Sequence, residues 1–193
     1  MAILGLQRRF ERAFKTQAAF GLLSIYPGRG LLWQRYGAEP MKDIAWRPGC
    51  RHMPSWSWLS KNGPIRYMSL QFEKVAWASK EFRGPFRRQA NSVSESRSYE
   101  PPDITPLEGL ARKLVGETLP YIYFDMDGDF KQDDLRCVVI GRDKLGDGTR
   151  KPRQHVLVVI RMETICGEQH ERVGVASLSP EQVGSEGEWI TIH

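Results

Sequence analysis

The chain has 193 residues and a mass of 22.1 kDa, a size at which a single domain with its own core is the normal case. Its 40% hydrophobic and 26% charged residues are ordinary for a globular protein and exclude a disordered or fibrous chain. The charge is uneven: residues 1–100 carry 17 Lys and Arg against 7 Asp and Glu, and residues 101–193 carry 11 against 16. A basic first half can bind nucleic acid or lipid, or it can attract the acidic second half.

The cysteines indicate a reducing compartment. Cys50, Cys137 and Cys166 are an odd number without a spacing pattern, so we expect no disulfide framework. No stretch approaches the roughly 20 apolar residues of a membrane span. The first residues place an apolar run before Arg8, which is the reverse of a signal peptide. We therefore predict a cytoplasmic protein without a transmembrane segment.

Residues 1–37 are predicted to be a helical segment. Over residues 4–23 apolar residues recur at steps of three and four, with basic residues mostly between them. Such a helix packs on a sheet with its basic face in solvent, or it binds a membrane surface or a partner. After a turn at Pro27–Gly30, a short helix or turn over Leu31–Tyr36 is expected to point Leu32 and Trp33 inward.

Residues 53–82 are predicted to be a Trp-rich hairpin and strand. Trp56 and Trp58 are two residues apart, so in a strand both indoles lie on one face. Asn62-Gly63 with Pro64 marks the turn, and the register places Trp58 opposite Tyr67. The alternative is an exposed platform on which bases or sugars stack. We expect these rings in the core because each buries a large apolar area.

The remainder is predicted as a mobile Ser/Arg-rich loop over 84–106 and antiparallel strands over 107–193. The loop is polar and poor in apolar residues. The residues that follow alternate strand-length segments with turns, without a long intervening helix, which favours antiparallel pairing. Leu107–Val115 is the exception, since its apolar residues fit helical spacing well.

Two polar clusters suggest metal ligands, but neither predicts a metal site. Asp125-Met-Asp-Gly-Asp129 looks like the start of a calcium loop, yet Phe130 and Arg136 occupy positions that require Gly and Glu. We predict a solvated loop for its aspartates together with Asp133 and Asp134. Cys50-Arg-His52 has no second ligand pair nearby.

A series of short sequence motifs, here called words, resembles in content and order the region that follows the HET domain in fungal heterokaryon-incompatibility proteins. Met53 and Leu59 depart from the alanines usual there. The words are Gly30-Leu-Leu-Trp33, Arg47-Pro48, Met53-Pro-Ser-Trp-Ser-Trp-Leu-Ser60, Gly63-Pro64, Val156-Leu-Val-Val-Ile160, Glu171-Arg-Val-Gly174 and Trp189-Ile-Thr-Ile192. The resemblance implies a strand, not a helix, over 107–115. It carries over no functional residue, because the HET domain's own words are absent.

We therefore expect an α+β fold, with the N-terminal helical segment packed on a mainly antiparallel β-domain. The predicted core aromatics are Trp33, Trp56, Trp58, Tyr67 and Trp189. A helical position for Trp56 and Trp58, or bare indoles at the surface beside the arginines, would overturn both this architecture and the resemblance.

The expected function is that of a non-enzymatic accessory or interaction region, in a shortened family member or a stand-alone copy, with an unknown protein partner and oligomeric state. We predict no catalytic residue, no metal and no cofactor, since no nucleophile elbow, dinucleotide fingerprint or P-loop is present. The alternative is a basic module that binds nucleic acid or an anionic membrane through the first helix and Arg83, Arg87 and Arg88; nucleic acid is the less expected partner. An enzyme would need a deep polar pocket that joins a His to a carboxylate.

Overall fold

The computed structural model describes residues 2–44, 53–84, 106–116, 120–144, 151–164 and 167–193. Strands dominate these residues and helices are few, which the predicted α+β class broadly covers. The elements are α1 Ala2–Phe14, β1 Ala18–Ala19, β2 Leu22–Leu23, α2 Pro27–Leu31, β3 Trp33–Arg35, β4 Lys42–Asp43, β5 Lys61–Asn62, β6 Ile65–Tyr67, β7 Val75–Trp77, β8 Phe82–Arg83, β9 Leu107–Leu114, β10 Ile122–Phe124, β11 Leu135–Asp143, β12 Gln154–Thr164, β13 Gly167–Leu178 and β14 Val183–Ile192.

Five strands of the large sheet close into a barrel. Their order is β11-β12-β13-β14-β9, and β9 pairs again with β11 to complete the circle. The pairings are antiparallel except between β13 and β14, which meet in parallel at a single bridge, His170 with Ile192. β7, β8 and β10 extend the sheet from β11, β9 and β13. The sheet is therefore mixed, and closure protects most of its strand edges.

The alternation of side chains along the barrel strands produces two apolar clusters. On β11, Val138 and Ile140 face one cluster, and Cys137 and Val139 face the other. All five barrel strands contribute to the first cluster, so it fills the barrel interior, and Leu22, Leu31, Leu32 and Trp56 cover it at one end. The second cluster lies on the opposite face of β11, β12 and β13, together with Ile122 of β10. The Val-rich β12 is buried on both faces, which suits its central place between β11 and β13.

The first helix is shorter than predicted. Helix α1 ends at Phe14, followed by Lys15 in the left-handed region with φ 48°, so the helix expected over 4–23 is wrong beyond residue 14. Residues 18–23 instead form the β1–β2 hairpin. Its two loop residues, Phe20 and Gly21, have φ 50° and 81°, as two-residue hairpin turns with positive φ at both positions require.

The next segment also differs from the prediction. The helix covers Pro27–Leu31, where a turn was predicted, and Trp33–Arg35 is strand β3. Leu32 and Trp33 are nevertheless buried. Helix α2 packs on β11 beside β7, and Gly28 allows this because a Cβ there would lie 2.6 Å from the Trp77 ring of β7 and 3.2 Å from Ile140 of β11. Helix α1, by contrast, packs on the small β1–β2 hairpin.

The hairpin predicted within residues 53–82 is wrong. Trp56 lies in a turn, and Trp58 begins a 3-10 turn that runs to Ser60. β5 pairs with β4, and β6 pairs with β3, so the two expected arms do not pair with each other. The serine hydroxyls account for the turn: Ser57 Oγ accepts from Leu59 N at 3.1 Å, and Ser60 Oγ donates to Ser57 O at 2.7 Å. Such local bonds compete with a strand ladder.

The second half of the chain follows the prediction more closely. Strand β9 occupies 107–114, as the resemblance implied and helical spacing did not. Strands were also predicted at each of β11, β12, β13 and β14, with shorter bounds. The loop predicted over 84–106 lies, except for its two end residues, outside the described residues, as do Arg47-Pro48, Cys50, His52 and Cys166.

Candidate functional site

A buried ion pair lies beside the covered end of the barrel. The Arg172 and Asp125 side chains are both fully buried. Arg172 Nε donates to Asp125 Oδ2 at 2.8 Å, and Nη2 donates to Oδ1 at 3.2 Å, a bidentate arrangement. The prediction of a solvated aspartate loop over 125–134 is therefore wrong at Asp125, because this carboxylate forms a buried ion pair with Arg172, 47 residues away.

Backbone carbonyls satisfy the rest of the guanidinium. Nη1 donates to Leu31 O at 2.7 Å, and Nη2 also donates to Trp33 O. The guanidinium carbon lies 3.4 Å from the centre of the Trp33 ring, a cation–π contact. Burial lowers the pKa of Arg172, and the Asp125 carboxylate opposes that shift. A buried cation with this many partners is a structural node and not a reactive group.

Ser55 joins the node to the barrel. One edge of β13 is paired with β10 at residues 174–176 and with β14 at residue 170. Between them, Arg172 N donates to Ser55 Oγ at 2.9 Å, and Ser55 N donates to His193 O at 2.9 Å. Ser55 thus bridges the gap left where neither strand pairs with β13.

Three words of the family resemblance meet at this node. Leu31 and Trp33 belong to the word Gly30–Trp33, Ser55 and Trp56 to the word Met53–Ser60, and Arg172 to the Glu-Arg-Val-Gly word. Trp33 Nε1 donates to Trp56 O at 2.9 Å, which ties the first two of these three together. We call the set Arg172, Asp125, Trp33, Ser55 and Trp56 the arginine node.

The predicted core aromatics occupy different environments. Trp33 and Trp56 are fully buried, and Trp58 is half-buried on its 3-10 turn. Tyr67 is 41% exposed and Trp189 44% exposed, so the core position predicted for these two is wrong. Trp189 lies on the outer face of β14, where Arg83 stacks on its ring at 4.7 Å.

A polar groove of about 890 Å³ opens at the mouth of the barrel. It is lined by the end of β9, the start of β11, the tips of β12 and β13, and β14. We call it the mouth groove and define it by His170, Arg136, Arg161, Glu168, Glu186 and Glu188. Barrel mouths are frequent ligand sites because they are concave and rigidly framed.

His170 lies at the floor of the mouth groove. It is only 8% exposed, and its ring makes no hydrogen bond to the part of the chain that the structure describes. Burial lowers its pKa, which Arg161 and Arg136 lower further, while Glu168 and Glu188 act in the opposite direction. The imidazole is therefore neutral at pH 7 and offers one donor and one acceptor. Sequence reasoning missed this residue, because nothing near it in the chain marks a site.

Other reactive residue types are committed to structure. His155 Nε2 lies 2.9 Å from Asp143 Oδ1, where β11 ends and β12 begins, and Ser177 opposite it accepts from Arg153 Nε at 3.0 Å. Burial raises the pKa of Cys137 to about 12, which leaves no thiolate at neutral pH. Within the described ranges, no group of three or more His, Cys, Asp or Glu could hold a metal ion.

Helix α1 carries the basic surface predicted for the first half. Arg9 and Arg12 are exposed, and so are Phe10 at 40% and Phe14 at 53%, whose rings lie 6.0 Å apart. Helix α1 is held to the β1–β2 hairpin by a hydrogen bond in which Gln7 Nε2 donates to Ala18 O at 2.8 Å. Arg83 is exposed, and Arg87 and Arg88 lie outside the described residues. No helix in the described ranges has both the length and the apolar character needed to cross a bilayer.

Comparison with known proteins returned no matching protein-family model, no matching curated protein and no matching solved structure.

Proposed function

We propose that this chain is a non-enzymatic interaction module that resembles the region following the HET domain in fungal heterokaryon-incompatibility proteins. The observation that carries the proposal is the arginine node. Words that are widely separated in the chain converge on one buried cation, Arg172, and supply its carbonyl, aromatic and hydroxyl partners. A role in holding the fold together accounts for the presence of these words in the sequence.

Two further observations bear on the resemblance. Strand β9 follows the resemblance where local spacing favoured a helix, which supports it. The 3-10 position of Trp58 counts against both the expected strand and the resemblance, whereas Trp56 lies in a turn and is buried. The resemblance therefore relies on the order of the words and on their convergence, and no longer on a Trp hairpin.

The test is binding to a HET domain supplied as a separate polypeptide. If the chain is the part that accompanies that domain, the two should associate, because interdomain contacts within a chain behave like transient protein interfaces. Calorimetric titration of the full chain with a purified HET domain should give saturable binding. No heat and no co-elution at about 100 µM of each protein, far above the micromolar range of such contacts, would overturn the proposal.

An enzyme is less well supported by the mouth groove. The groove does bring His170 near Glu168 and Glu188, the kind of arrangement that acid–base catalysis requires. However, Glu168 is engaged at 2.9 Å by Arg161, and Arg136 donates to the backbone at Asp133 and Leu135. Glu168 thus already has a partner, and Glu188 is an exposed carboxylate, which favours binding over turnover.

A second candidate function is binding to an anionic membrane through α1. The observation that favours it is the exposed pair Phe10 and Phe14 on a helix that also exposes Arg9 and Arg12. Sedimentation with vesicles of phosphatidylserine and phosphatidylcholine should then show binding that weakens steeply with salt and is lost in a Phe10→Ser, Phe14→Ser variant. Binding to duplex DNA that survives this variant would indicate the nucleic-acid alternative instead.

A further inference from the structure

Strand β14 has an edge that the described residues leave unpaired. On one side it pairs with β9, and on the other it meets β13 only at the bridge between His170 and Ile192. The pairing with β9 is also interrupted between Val183 and Gly187. Residues 185–188 are exposed and line the mouth groove. A free strand edge is a ready template for another strand.

The charges along this edge are mostly negative. Glu186 and Glu188 are exposed on β14, and neither forms an ion pair with the described residues. The lining includes three cations, Lys113, Arg136 and Arg161, of which Arg161 pairs with Glu168, and six carboxylates, Asp133, Asp134, Glu163, Glu168, Glu186 and Glu188. The groove therefore has unneutralised carboxylates beside a free edge, which favours a basic ligand.

His170 supplies an observation independent of the carboxylates. It is more than nine-tenths buried, lines the groove, and has no hydrogen-bond partner in the described part of the chain. A neutral imidazole at that position can accept a hydrogen bond from an amine or guanidinium.

We propose that the mouth groove, where β14 diverges from β13, binds an extended, Lys- or Arg-rich segment of a partner protein. This segment adds to β14 as a further strand. Its cationic side chains reach Glu186 and Glu188, and one donor reaches the ring of His170. Main-chain hydrogen bonds to the edge supply affinity, and the alternate side chains supply specificity. This inference rests on the proposed function as an interaction module and names the chemistry of its partner.

The probe is a capped octapeptide that alternates lysine and valine, titrated into the full-length protein by calorimetry and by amide chemical shifts. We expect saturable binding with shifts confined to residues 167–170 and 184–190. A Glu186→Gln, Glu188→Gln variant should bind about tenfold more weakly, the combined effect of two exposed charge contacts. The matched control, Glu39→Gln with Glu73→Gln, removes the same charge elsewhere on the surface and should bind as the wild type does.

Two further peptides test the mode of binding. The same peptide N-methylated at alternate residues keeps its charges but loses the backbone donors of one edge, so it should not bind. The glutamate–valine counterpart should not bind either. The inference would be overturned if either of these peptides bound as well as the lysine–valine peptide. It would also be overturned if the control variant weakened binding as much as the Glu186→Gln, Glu188→Gln variant, or if the chemical shifts changed outside residues 167–170 and 184–190.

The outcome separates this inference from the proposed function. If a HET domain binds and the lysine–valine peptide does not, only the proposal for the mouth groove is overturned. Peptide binding without HET-domain binding leaves the groove in place and overturns the family-based function.

Discussion

Arg172 and Asp125 form a bidentate ion pair from which solvent is fully excluded. The two residues come from β13 and from the turn after β10, and the same guanidinium donates to Leu31 O in the N-terminal third. One cation therefore joins three distant parts of the chain. Removing one member of such a pair leaves a buried, uncompensated charge, which is costly.

Replacing Asp125 should destabilise the protein strongly. Asp125→Asn keeps the shape but removes the charge that neutralises Arg172, so we expect a loss of about 3–5 kcal/mol in the free energy of unfolding, measured in urea. Asp127→Asn is the control, because Asp127 is 76% exposed and lies 3.6 Å from Arg35. It should change stability by less than about 1 kcal/mol. Equal losses in the two variants would contradict the structural role of Asp125.

Ser55 should matter through its hydroxyl oxygen. Ser55→Ala removes the acceptor of the Arg172 amide, which we expect to cost about 1–3 kcal/mol and to speed hydrogen exchange at that amide. Ser185→Ala, on the exposed part of β14, is the control and should stay within about 0.5 kcal/mol of the wild type. Unchanged exchange at Arg172 in the Ser55 variant would show that the bond is not formed.

Acid should weaken the fold through His170. Burial holds the pKa of His170 below its ordinary value of 6.5, with Arg161 and Arg136 adding to the shift and Glu168 and Glu188 opposing it. The unfolded chain therefore binds the proton more readily. Stability from this group is complete above pH 6.5 and is lost as the pH falls from 6.5 towards the folded-state pKa.

Comparison with His170→Gln isolates this effect. The difference in unfolding free energy between wild type and variant should be constant above pH 7 and should shrink as the pH falls from 6.5 to 5, because only the wild type carries the penalty. The measurement is urea unfolding across that range. A difference that is independent of pH would mean that His170 is solvated in the folded protein.

Cys137 should be inert in the folded protein. It is fully buried, and its pKa is raised to about 12 by burial. In a Cys50→Ser, Cys166→Ser variant, the remaining thiol should react with a disulfide reagent only at the rate of unfolding, and at once in denaturant. Fast reaction under native conditions would place Cys137 at the surface.

Local pattern was sufficient for β11, β12, β13 and β14 but not for β9 or for closure of the barrel. Alternation and β-branched residues identify β11 and β12, while closure depends on β9 pairing with both β11 and β14, which no local spacing encodes. Trp58 shows the opposite failure. Its aromatic β-propensity was outweighed by the hydroxyl bonds of Ser57 and Ser60, which form a 3-10 turn.

The functional groups were harder to predict than the fold. Asp125 looked like part of a solvated loop because its partner Arg172 is distant in sequence. His170 and Glu188 each looked like an ordinary strand residue, and only closure of the barrel brings them to one groove. Three of the sequence words contribute residues to the arginine node, but Asp125 belongs to none of them.

The central claim is that Arg172 and Asp125 act as one unit that frames the domain. A double-mutant cycle measures this directly, with urea unfolding of Arg172→Met, Asp125→Leu and the double variant. We predict that each single change costs about 3–5 kcal/mol and that the double variant costs at least about 2 kcal/mol less than their sum. Additive losses, within about 0.5 kcal/mol, would contradict the account.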